Sequence, residues 1–76
     1  MKSSKKLDWK LESKRILKAQ LARKGITHED LAKLLTDLGH PETKATVDNK
    51  ISRGSFSFAF FLKCMWVLGI RELKLD

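Results

Sequence analysis

The sequence predicts an all-α domain of four to five short helices around a single core, followed by a short extended C-terminal tail. Three observations carry that prediction. Apolar residues return every three or four positions in successive segments of the 76-residue chain, the spacing of a helix face. Glycines at 25, 39, 54 and 69 punctuate those segments. The longest apolar run, Phe58 to Ile70, has 13 residues, ordinary for a helix and long for a strand.

Taken in order, Asp8 can cap a first helix running to Lys24, with Trp9, Ile16, Leu17 and Leu21 at helical spacing and Arg23 and Lys24 in a cationic last turn before Gly25. Thr27 is a good N-cap for a second helix, His28 to Leu38. Asp30 stands three residues on in a weak capping box, and Leu31, Leu34, Leu35 and Leu38 form the apolar stripe. The third segment, ETKATVDNKISRG, has two apolar anchors, Val47 and Ile51, one turn apart, so it must dock on neighbours. Ser57 caps a fourth helix whose expected core face is Phe58, Phe61, Leu62, Met65 and Leu68. The tail IRELKLD alternates imperfectly and can only extend or pack.

Charge narrows the function classes. The formal net charge is +7, with a pI near 9.9. Met1 to Gly25 carries nine cations against two acids, and the remaining residues sum to zero. A basic footprint confined to the N-terminal third favours a polyanionic partner. The lone cysteine, Cys64, lies in an apolar run, which gives no disulfide framework, makes a reducing cytoplasm the expected setting and reads as a small core residue. The start, MKSSKKLDWK, lacks the apolar core of a secretory signal, and the longest apolar run falls short of the roughly 20 residues that span a bilayer. His28 and His40 sit on different segments with no metal-ligand spacing, and no Gly-rich phosphate loop exists. The chain is therefore expected to have no catalytic residues, metal, cofactor, small-molecule substrate or membrane partner.

The second and third segments, an N-capped helix, a Gly-containing turn and a short helix with a polar outer face, suggest a helix-turn-helix. The stretches "LKAQLARKGITHEDLAKLL", "TVDNKISRG" and "SFAFFLKCMWVLGI" together resemble the lambda-repressor-like (Cro-repressor type) helix-turn-helix domains of phage and bacterial regulators. In those, "G-[IL]-[ST]-x-x-x-LA" opens helix two and "T-[VI]-x-x-x-[IL]-x-x-G" covers the recognition helix. The resemblance spans about Leu17 to Ile70 and points in particular to a bacterial branch of small, functionally uncharacterised domains with an "NKISRGxF" stretch. One departure stands out: TDLGHPETKAT between Leu35 and Val47 exceeds the usual tight turn, so either helix two is longer or the turn is larger.

The resemblance implies a DNA-binding transcriptional regulator in which helix three, about 43–53, reads the major groove of double-stranded DNA. Residues 1–7 form a flexible basic arm, 8–70 the domain and 71–76 the tail. Lys44, Ala45, Asp48 and Asn49 fall where family members contact base edges, with Thr46 beside them; Asn49 stands out because its amide can pair bidentately with adenine. Thr27, Lys50, Arg53 and the arm residues Lys2, Lys5 and Lys6 are the expected phosphate contacts. Phe56, Phe60 and Trp66 exceed what one face of one short helix can bury, which predicts a partner surface and a homodimer. Two other readings remain. One is a protein-interaction module of the same fold, adaptor or antitoxin-like, motivated by a net charge of only +1 over residues 41–54. The other is an RNA platform, because Arg53-Gly54 is followed by phenylalanines at 56, 58 and 60, although stacking bases on them requires an exposed sheet.

Overall fold

Each helix starts where a side chain satisfies backbone N–H groups that have no carbonyl one turn earlier. The computed structural model describes residues 7–75, and among them are four helices and no strand: α1 (Trp9–Lys24), α2 (His28–Leu38), α3 (Lys44–Arg53) and α4 (Phe58–Leu68). Asp8 accepts from the Leu11 N–H at 3.1 Å and Ser57 from the Phe60 N–H at 3.0 Å. Thr27 and Thr43 each form a full capping box, with Asp30 and Thr46 reaching back to the cap's own N–H. The second box uses a threonine where a glutamate is usual, which is why the sequence pattern did not reveal it.

The four helices enclose one core. Leu17 and Leu21 come from α1, Leu31, Ala32 and Leu35 from α2, Val47 and Ile51 from α3, and Phe60, Cys64, Met65 and Leu68 from α4. Residues 70–75 are neither helix nor strand, and Ile70 and Leu73 pack against this core. No helix among the described residues is long and apolar enough to cross a membrane.

Two faces differ from expectation. On α4, Phe58 and Leu62 are 71% and 52% exposed, whereas Phe60 is 4% exposed. The buried line is therefore Phe60, Cys64, Met65 and Leu68, rotated from the expected one, and Phe60 belongs to the core and not to a partner surface. The physical reason is that α4 is apolar nearly all round, so packing against α2 and α1 chooses its face and periodicity does not. On α1, Trp9 is 71% exposed. The first turn of α1 makes its close approach through the Lys10 backbone, against Gly54 at the end of α3; a Cβ on Gly54 would collide with the Lys10 carbonyl. Gly54 also has φ +69°, so both its handedness and the space require glycine. The exposed sheet that the RNA-platform reading requires is not found among the described residues: Phe58 and Phe60 lie on α4 and Phe56 on the loop before it.

Candidate functional site

α2 ends at Leu38, and the connection from it to α3 runs from Gly39 to Thr43. Hydrogen bonds fix this connection. Thr36 Oγ1 on α2 donates to the Glu42 carbonyl and accepts the Glu42 N–H, both at 3.1 Å. The Glu42 side chain, 2% exposed, turns inward. Thr46 Oγ1 donates to one carboxylate oxygen at 2.5 Å, and Lys50 Nζ donates to the other at 2.5 Å. His40 Nε2 lies 2.9 Å from that second oxygen but out of line for a hydrogen bond, and its Nδ1 receives Lys63 Nζ of α4 at 3.0 Å. Burial works against the Glu42 charge, but the Lys50 and Thr46 hydrogen bonds and the nearby positive charges outweigh it and hold the carboxyl below its ordinary 4.5. The turn thus ties α2 through the Glu42 backbone, α3 through the Glu42 carboxylate and α4 through His40.

A second cluster closes the other flank of α3. Asp48 Oδ1 lies 2.6 Å from His28 Nδ1 at the start of α2, and its Oδ2 receives Lys44 Nζ at 2.8 Å. The Lys44 hydrogen bond, then that of His28, keeps the Asp48 carboxyl below its usual value, and Asp48 raises Lys44 in return. Cys64, beneath, is fully buried; desolvation first, then the Glu42 charge, pushes its thiol up to about 12, so it remains an inert core thiol.

These pairs sort the residues singled out by sequence. Lys44 and Asp48 neutralise each other, Thr46 is consumed by capping and by Glu42, and Lys50 is tied to Glu42 with its ammonium 4.9 Å from the Phe60 ring centroid. Thr27 Oγ1 accepts the Asp30 N–H as the α2 cap. Ala45, Asn49 and Arg53 remain exposed on one outward line of α3, joined by Ser52, which sequence reasoning missed. Ser52 was legible from the helical period, since it lies opposite the anchors Val47 and Ile51. Glu42 and Lys63, the anchors of the turn, were also missed, because their partners, Lys50 and His40, stand eight and twenty-three residues away.

The remaining sites divide in two. Lys2, Lys5 and Lys6 lie outside the described residues. On α1, Lys10, Lys14 and Lys18 succeed one another at four-residue spacing, Lys10 in the turn whose backbone meets the end of α3, and none has an acidic partner among the described residues. Of the expected partner surface, Phe56 is half-buried, tilted against Phe60 and stacked on Phe61, and Trp66 is 64% exposed. The outward line of α4 is Phe58, Leu62 and Trp66, one turn apart.

Comparison with curated proteins and with solved structures returned no match. Residues 9–73, the four helices and the start of the tail, match the family described as Domain of unknown function (DUF6471), and the chain belongs to that family.

Proposed function

We propose that the chain is a DNA-binding regulator of the lambda-repressor-like helix-turn-helix type, with α2 as the positioning helix and α3 as the helix that enters the major groove. The observation that carries this reading is the sorting of α3. Its flanking charges are satisfied internally, and its outward line of Ala45, Asn49 and Ser52 is small, uncharged and able to approach base edges. Asn49 at the centre of that line pairs with adenine N6 and N7, Ala45 meets a thymine methyl, and Ser52 supplies a hydrogen bond. Phosphate contact falls to Arg53 and to Lys10, Lys14 and Lys18 of α1, because Lys50 is held by Glu42. The fixed turn serves this role by pre-orienting α3 on α2, so little ordering accompanies binding.

Selection from random duplexes tests the reading. An enriched site is expected, together with a loss of roughly 1–3 kcal/mol for Asn49→Ala on that site and affinity that falls with salt. No enriched site, or an Asn49→Ala variant that binds the selected duplex as well as the parent, overturns it. One observation favours the rival protein-interaction module: of the three cations on α3, only Arg53 is unpaired among the described residues. Such a module ignores duplex DNA at low salt, where a helix-turn-helix with α1 lysines binds even non-specific sequence.

A further inference from the structure

We infer that the cleft between α1, the α3–α4 loop and the C-terminal tail is a binding site for a small anionic amphiphile, a single hydrocarbon chain ending in a carboxylate. Nothing in this site depends on what α3 reads. The cleft measures about 420 Å³, inside the roughly 300–1,000 Å³ of small-molecule sites. A volume of that size holds about one turn of a helix with its side chains, so a free small molecule fits it better than a protein segment does.

The walls ask for hydrocarbon. Ile16 comes from α1, Leu73 and Leu75 from the tail, and Phe56, Phe58 and Phe61 from the loop and the start of α4. The Phe61 ring lies 6.3 Å from those of Phe56 and Phe58, at 7° and 27° to them, so the three phenyls make one continuous apolar surface. No charged side chain lines the cleft, and its two hydroxyls already bond to backbone. Ser13 donates to the Trp9 carbonyl at 2.9 Å, and Ser57 accepts the Phe60 N–H at 3.0 Å. A charged group carried into the cleft would leave water with no counter-charge, so the part of the occupant that enters is apolar.

The surroundings ask for an anion. The segments that supply the walls, residues 10–16, 55–61 and 70–75, carry five cations against two acids. Lys74 is exposed between Leu73 and Leu75, and Lys14 stands beside Ser13; neither has an acidic partner among the described residues. Of the two acids, Glu12 is held by Arg15 at 2.9 Å. A carboxylate at the mouth meets this positive field while its chain lies on the phenyl rings. The same field works against a cationic head. The tail gives the chain a way in: residues 70–75 are neither helix nor strand and Leu75 is 66% exposed, so this wall can shift without breaking a ladder of backbone hydrogen bonds.

Titration of the full nitrogen-15-labelled chain with decanoate, followed by amide chemical shifts, is the test. One saturable site is expected, with shifts centred on Ile16, Phe56, Phe61 and Leu73 and a dissociation constant of roughly 0.1–1 mM. Decyltrimethylammonium, with the same chain and the opposite head, should bind about tenfold more weakly, and so should hexanoate, which offers less hydrocarbon to bury. Ser13→Phe fills the cleft from a helix position whose hydroxyl bonds only within its own helix; it should abolish saturation with unchanged helical circular dichroism. Lys74→Glu, at an exposed position that folding does not depend on, should weaken decanoate by about fivefold. No saturation up to about 10 mM decanoate overturns the inference, as does equal affinity for the two head groups or a Ser13→Phe chain that binds as the parent does. A chain that ignores decanoate but shows the same shifts with phosphatidylglycerol vesicles also overturns it, since the occupant is then a bilayer surface. Duplex selection reads α3 and not this cleft, so the two readings fail separately.

Discussion

α3 and α4 have nearly equal lengths, ten and eleven residues, yet they solve opposite problems. α3 buries two residues and spends its ionic side chains on its neighbours, Lys44 on Asp48 and Lys50 on Glu42. α4 buries four residues and leaves a second apolar line facing outward. The difference separates stability from availability. On α3 the ionic groups pair with neighbours and the small residues Ala45, Asn49 and Ser52 remain exposed; on α4 it is a second apolar line that remains exposed.

The largest expected effect breaks the symmetry within α4. Phe60→Ala removes a buried ring that packs against His40, Phe56 and the Lys50 ammonium and should cost about 3–5 kcal/mol, close to the whole stability of a domain this size. Phe58→Ala, two residues away, should change the stability of the monomer by less than about 0.5 kcal/mol, because that ring is exposed. Urea unfolding of both variants at low protein concentration checks the pair. Equal losses would mean that α4 is rotated toward the Phe58 line. Gly54→Ala comes next. It forces a side chain into a left-handed position and into the Lys10 carbonyl, and should cost about 3 kcal/mol by the same measurement, loosening α1 from α3.

Glu42→Gln probes the polar half. The amide keeps the shape but leaves Lys50 without its counter-charge, for an expected loss of about 1–3 kcal/mol at neutral pH. The folded carboxyl lies below its ordinary 4.5, so its stabilisation is complete above that pH and is lost as pH falls through the folded value. The parent's thermal midpoint should therefore drop on acidification below 4.5, and the Glu42→Gln variant should show a flatter profile there. A variant as acid-sensitive as the parent would assign the acid loss to other carboxylates.

Much of this architecture is legible in the residues before any coordinates. Asp8, Thr27 and Ser57 with the glycines mark helix ends because capping is a local interaction, settled within three residues. Val47 and Ile51 identify the inner side of α3 because nothing else on that helix is strongly apolar. The face of α4 is not legible in the same way. Phe58, Leu62 and Trp66 are as apolar as Phe60, Cys64 and Leu68, and only the surfaces of α1 and α2 decide between the two lines. The Glu42 cluster escapes for a related reason. Its partners come from a turn, α3 and α4, at spacings that no helix periodicity produces. The candidate site suffers most, since Lys44, Asp48 and Lys50 read as groove contacts until their mutual pairing is seen.

That pairing supports the smallest structural effect with the sharpest functional consequence. Asp48 is bound to Lys44 and His28 at the surface, where such pairs contribute little, so Asp48→Asn should leave the unfolding midpoint nearly unchanged. Its effect on duplex DNA should be plain. The substitution removes a carboxylate from α3 and releases the Lys44 ammonium, and both changes favour phosphate. Affinity should rise at low salt, and the logarithmic salt dependence should steepen by about 0.9, one additional phosphate neutralised. Binding titrations at several salt concentrations measure both quantities on one preparation. An unchanged slope would place Lys44 away from the phosphates and leave α1 and Arg53 as the whole electrostatic contact. A steeper slope with unchanged stability would show that Asp48 restrains the Lys44 charge on α3 and so holds non-specific attraction down.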